Sequence, residues 1–95
     1  MIAVSVRKDG IEVRGHANYA ETGKDIVCAG VTALTQTLIR SLEDLTRDEI
    51  KYVLSPGRAD IHYRDLSEEG RLLVDSFFIG VCSIADEFPD YVRIE

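Results

Sequence analysis

His16 and Cys28 stand at the two ends of a short segment that begins and ends near glycine, in the stretch GHANYAETGKDIVCAG from Gly15 to Gly30. An imidazole and a thiol are enough for nucleophilic catalysis. The imidazole takes the thiol proton, the thiolate attacks a carbonyl carbon, and the proton is later delivered to the leaving amine. Cys28 follows three residues after Asp25, a good helix N-cap, at the head of an apolar run. That spacing puts the sulfur in the first turn of a helix, where unpaired N–H groups and the helix dipole favour an anion. A free thiol has a pKa near about 8.5, so only a few per cent is thiolate at neutral pH. The dipole and a neighbouring imidazolium both shift such a group toward the reactive form. The N–H groups of Cys28 and Ala29 are candidate donors for the oxyanion of a tetrahedral intermediate. Asp25 has two roles open to it. One is the helix cap, which takes the larger share; the other is a third catalytic member that orients His16. The two can coexist.

Other residues with the same chemistry carry less. Cys82 neighbours Val81 and Ile84 with no histidine or cap nearby, the setting of a small buried side chain. His62, between Ile61 and Tyr63 on a strand, reads as a face residue. NYAETGKD has part of the phosphate-loop pattern, but Asn18 stands where the first glycine belongs and Asp25 where the magnesium-holding hydroxyl belongs. A carboxylate there repels phosphate, so that reading is rejected. The cysteines form no C-x-x-C pair and no His/Cys cluster has zinc spacing. Neither a metal nor a cofactor is expected.

The elements that must position the pair follow from periodicity. Ile2 to Arg7 and Ile11 to Arg14 alternate around Asp9-Gly10, a hairpin signal in which both turn residues of a type I′ turn take positive φ. After Asp25, residues Val27, Val31, Leu34, Leu38, Leu42 and Leu45 recur at helical spacing. Ile50 to Leu54 and Ala59 to Tyr63, joined by SPGR, read as a second hairpin. Ser67 caps a second helix with Leu73, Phe77, Val81, Ile84 and Phe88 as its buried stripe. Pro89 stops it, and Tyr91 to Ile94 is a last short strand. The order β-β-α-β-β-α-β predicts an α+β domain over residues 1–95, with two helices on a mostly antiparallel sheet. Leu72, Phe78 and Ile79 lie off the main stripe of the second helix. They predict either a dimer interface or a helix wrapped on two sides. Because the segment from Ala17 to Lys24 is short, His16 and Cys28 fall at the same edge of the domain.

The 95 residues make one domain, and a net charge of −6 argues against a nucleic-acid partner. It suits a basic peptide, or simply solubility. No apolar run reaches the length needed to span a bilayer. MIAVSVRKDG alternates like a strand and lacks the features of a signal peptide, so a cytoplasmic location and free thiols are expected.

GHANYAETGKDIVCAGVTAL resembles the signature of the ribosomal-processing cysteine protease family, Prp, and the length, opening hairpin and closing FPDYVRIE segment are similar too. The resemblance implies a small homodimeric bacterial enzyme. Such an enzyme cuts a short N-terminal extension from large-subunit ribosomal protein twenty-seven. It also implies Cys28 as nucleophile, His16 as base, and a substrate loop, Ala17 to Lys24, that moves when substrate arrives. Gly15, Asn18 and Gly23 are the candidate loop residues. Asn18 replaces the usual glycine and tolerates positive φ. Gly30 stands in place of alanine and is expected to reshape the cleft wall slightly; Thr32 replaces a serine and keeps the hydroxyl. The alternative is a non-catalytic dimeric ribosome-associated factor with an inert Cys28, and a redox-sensing thiol ranks last. Thiol reactivity separates them, since an activated Cys28 alkylates far faster than Cys82 at mildly acidic pH.

Overall fold

The two alternating runs at the start of the chain form β1 (Ile2–Arg7) and β2 (Gly10–Arg14). They are followed by α1 (Ile26–Leu45), β3 (Ile50–Ser55), β4 (Arg58–Tyr63), α2 (Glu68–Glu87) and β5 (Val92–Ile94). The structure, a computed structural model, describes residues 1–21 and 23–95. The expected element order is the observed one. Five strands form one sheet in the order β3-β4-β2-β1-β5. Three pairings are antiparallel and that of β1 with β5 is parallel, so the sheet is mixed.

The first hairpin turns differently from the D-G expectation. Arg7 pairs with Gly10, so the two-residue turn is Lys8-Asp9, and neither Asp9 nor Gly10 has positive φ. The glycine serves the neighbouring strand instead. A Cβ at Gly10 would lie 2.7 Å from the carbonyl oxygen of Ile61, so its absence lets β4 close on β2. Tyr63 secures the turn: its hydroxyl donates to Arg7 O at 2.9 Å and its N–H to Asp9 O at 3.1 Å.

The core lies between the helices and one face of the sheet, where Val4, Val27, Leu42, Ile61 and Val81 are fully buried. The predicted α1 stripe holds at Val27, Val31, Leu38 and Leu42, with Thr35 and Ile39 added. Leu45 departs from it and is 70% exposed, because it is the last residue of a helix that stops at Thr46. Leu34 is half-buried and faces α2: a Cβ on Gly80 would come within 3.0 Å of its methyl groups. Gly30 faces α2 as well, with the position of its missing Cβ 3.2 Å from Ile84 Cδ1. The expectation that Gly30 shapes the cleft wall is therefore corrected; it is a close-approach position between helices. In α2, Ser67 caps the helix by accepting the Gly70 N–H. Phe77 and Val81 are buried, while Leu73, Ile84 and Phe88 are half-buried. Leu72, Phe78 and Ile79 are exposed, so the off-stripe face of α2 is uncovered within the chain.

Candidate active site

β2 delivers the histidine. Gly15, at φ +97, turns the chain out of the strand, and its N–H donates to Gly57 O at 2.8 Å in the β3–β4 turn. The exposed imidazole of His16 rests on that same turn. A Cβ at Gly57 would lie 2.5 Å from Nε2 and 3.1 Å from Cε1, so a larger residue there would displace the ring from where it rests. Gly57 also takes positive φ, +72, so one residue type meets both demands.

α1 delivers the cysteine. Asp25 is the N-cap, with Oδ1 accepting the Cys28 N–H at 2.9 Å. Cys28 is half-buried in the first turn, and the buried Ala17, just after His16, donates its N–H to Sγ at 3.3 Å. His16 and Cys28 line one pocket of about 300 Å³ together with Val31, Thr32, Leu54 and Gly57. Among the described residues no hydrogen bond joins the imidazole to Sγ, although the two residues line the same pocket.

Tyr19 ties the loop between them both through its backbone and through its ring. Tyr19 donates its N–H to Asp25 Oδ2 at 3.0 Å. Its ring sits edge-on against Phe88, centroids 5.5 Å apart, and against Tyr91 at 5.1 Å. Asn18 has φ +54 and Gly23 φ +89, so the asparagine supplies the left-handed turn expected of it. Among the described residues other than its chain neighbours, nothing lies within 4 Å of the position a Cβ would take on Gly23.

Two expectations are corrected by these bonds. The N–H of Cys28 is engaged by Asp25 Oδ1 and that of Ala29 by Asp25 O at 3.0 Å, so neither is free to receive an oxyanion. The cap satisfies them first, because unpaired N–H groups at a helix start are costly to leave unmade. The backbone donor aimed at the sulfur comes from Ala17 instead. Asp25 also makes no hydrogen bond to His16 among the described residues; its oxygens accept the Tyr19 and Cys28 N–H groups.

Those bonds hold the Asp25 carboxyl below its ordinary pKa. The Cys28 N–H contributes most; partial burial opposes it, and the Tyr19 N–H adds to the lowering. A depressed carboxylate pKa stabilises the fold above the unfolded value of about 4, and the contribution is lost as pH falls through the folded value. Thermal melts of the parent protein between about pH 6 and pH 2.5 should show this loss. Asp25→Asn keeps one acceptor oxygen for the cap but faces the other N–H with an amide donor, so it should melt below the parent at pH 7, with the gap narrowing as pH falls. Equal acid slopes for the two proteins would remove Asp25 from this role.

Cys82 is half-buried on α2 and outside the pocket, and His62 is exposed on β4. Among the described residues no group of three or more His, Cys, Asp or Glu side chains is placed to hold a metal. No helix among them is long and apolar enough to cross a membrane. The sequence reading missed Gly57, Ala17 and the Tyr19–Phe88–Tyr91 contact. Pro56-Gly57 signals a turn, but nothing in it signals the ring that rests on it.

Comparison with known proteins bears on the whole chain. The family model described as cysteine protease Prp matches residues 1–93. A ribosomal processing cysteine protease Prp of Staphylococcus aureus is 30% identical over 83 residues, covering 84% of this chain and 78% of the relative. The protein of that description from Bacillus subtilis is 24% identical over 107 aligned positions, covering 99% and 96%. A crystal structure of an essential ribosomal processing protease Prp from S. aureus, in complex with a covalently linked product peptide, matches with a TM-score of 0.90. Its identity is 23%, and the match covers 99% of this chain and 95% of that one. A second structure of that protease, with a substrate peptide, matches with a TM-score of 0.83 at 22% identity, again over 99% and 95%.

Proposed function

The chain belongs to the cysteine protease Prp family, and from that premise we propose that it acts in the cytoplasm, removing the N-terminal extension of large-subunit ribosomal protein twenty-seven during ribosome assembly. Cys28 is the nucleophile and His16 the base. The observation that carries this reading is the shared pocket, with the sulfur and the imidazole both on its wall and the Ala17 N–H on the sulfur.

The steps follow from those groups. His16 takes the Cys28 proton. The thiolate forms a bond to the scissile carbonyl carbon, and the π pair moves to oxygen. Collapse of the tetrahedral species expels the amine, which leaves with the proton from His16. Water then loses a proton to the imidazole and adds to the thioester, and the thiolate departs and is reprotonated. Such contacts often tighten only with substrate, so the lack of an imidazole–sulfur hydrogen bond among the described residues of the free protein does not oppose this route. The covalently linked product peptide in the S. aureus structure supports a covalent step. The net charge of −6 attracts a basic peptide tail.

A synthetic peptide spanning the N-terminal extension of the host's ribosomal protein twenty-seven tests the reading. Mass spectrometry should find two products from a single bond, and N-terminal sequencing of the protein from host ribosomes should give the trimmed form. An extension that survives both the purified enzyme and ribosome assembly would end the proposal. We also propose a homodimer that uses the outer face of α2, where Leu72, Phe78 and Ile79 are exposed. Sedimentation should give a dimer mass that Ile79→Asp reduces to the monomer; a monomeric parent protein would overturn it.

A further inference from the structure

The pocket accounts for the scissile bond, and the sheet edge beside it accounts for the peptide on one side of that bond. The two edges of the sheet are unlike. β5 is three residues long, is continued by the Glu95 N–H bonding to Val4 O, and has α2 against it. β3 has six residues and pairs only with β4. Among the described residues no hydrogen bond reaches its outer side, so the outward half of its backbone N–H and C=O groups is unpaired. Lys51 to Ser55 are all exposed, and Tyr52, Val53 and Leu54 are consecutive large apolar residues at 41%, 65% and 46% exposure. Free edges are ordinarily blunted by charges, prolines or bulges. This one carries a single lysine, and its proline comes after the strand ends.

The register gives each side chain a face. Tyr52 pairs with Ile61 and Leu54 with Ala59, both core residues, so Tyr52 and Leu54 stand on the helix side of the sheet. Val53 pairs with Asp60 and stands on the other side. Leu54 and Ser55, at the end of the strand, also line the pocket that holds His16 and Cys28.

We infer that β3 receives the substrate as an added strand: an extended peptide with bulky apolar side chains at alternate positions, running from the pocket along the hairpin. The inference rests on the cysteine protease reading and extends it to substrate recognition. Continuity with the pocket selects the occupant. A second copy of this chain paired along β3 would lie across Leu54 and Ser55 and obstruct the opening the reaction needs.

The test separates docking from chemistry by measuring calorimetric binding to the Cys28→Ala protein. The probe is the N-terminal extension peptide of the host's ribosomal protein twenty-seven, prepared as a series with one backbone amide N-methylated at a time. Added-strand binding predicts a period of two: alternate N-methyl groups weaken binding about fivefold or more and those between them do not. Tyr52→Ser and Val53→Ser should each raise Kd about fivefold while the sedimentation mass stays that of the parent. An N-methyl series without alternation, or Tyr52→Ser and Val53→Ser proteins that bind as the parent does, overturns the inference even where cleavage is observed. A changed sedimentation mass with unchanged peptide affinity also overturns it and assigns β3 to a second copy. Alternating binding in a protein whose parent does not cut the peptide keeps the docking strand and removes the proteolytic reading.

Discussion

Cys28→Ala should leave no measurable cleavage of the extension peptide in a protein that is otherwise folded. The separation of chemistry from stability follows from how the residue is held. The helix start depends on the backbone N–H of Cys28, which donates to Asp25 Oδ1, and that bond does not involve the side chain. The sulfur receives one backbone N–H, from Ala17 at 3.3 Å, and is half-buried, so its removal leaves little unpaired. The circular dichroism melt should therefore stay close to that of the parent, while the hydroxyl side chains on the pocket wall, Thr32, Thr35 and Ser55, are far weaker nucleophiles than a thiol. Cys82→Ala, on α2 and away from the pocket, should cut like the parent. A Cys28→Ala protein that cuts at the parental rate would defeat the assignment.

His16→Ala should lower kcat by about 10² to 10⁴-fold, the range over which a positioned acid–base group acts. The ring is exposed and makes no hydrogen bond among the described residues, and its one described contact is with the Gly57 turn, so the melting temperature should move little. The measurement is steady-state cleavage of the same peptide beside a thermal melt. A loss under about tenfold with an unchanged melt would take His16 out of the base role.

Much of the fold was legible because it rests on local physics. Alternation gave the first hairpin, the SPGR turn between two apolar runs gave the second, and helical spacing gave the two stripes. Residue type at one position gave the caps Asp25 and Ser67. What was not legible depends on neighbours distant in sequence. Gly10 looks like a turn residue until Ile61 is brought against it, and Gly30 looks like a poor helix residue until Ile84 is. The parallel pairing of β5 with β1 leaves no mark on a strand of three residues. At the site, residue types and spacing gave His16, Cys28 and Asp25. The partners that place them came from other elements: Gly57 from the far hairpin, and Phe88 and Tyr91 from after α2. The FPDY segment reads as a helix stop, and its aromatic rings turn out to hold Tyr19.

The carboxylate of Asp25 divides its two oxygens between the helix and the loop, Oδ1 with Cys28 and Oδ2 with Tyr19. Peeling the Tyr19 segment away therefore forfeits one backbone bond and a pair of ring contacts, yet leaves the first helical turn wound. An arriving peptide can rearrange the entrance without dislodging the nucleophile, because unfastening the one and anchoring the other are separate events at opposite corners of a single side chain.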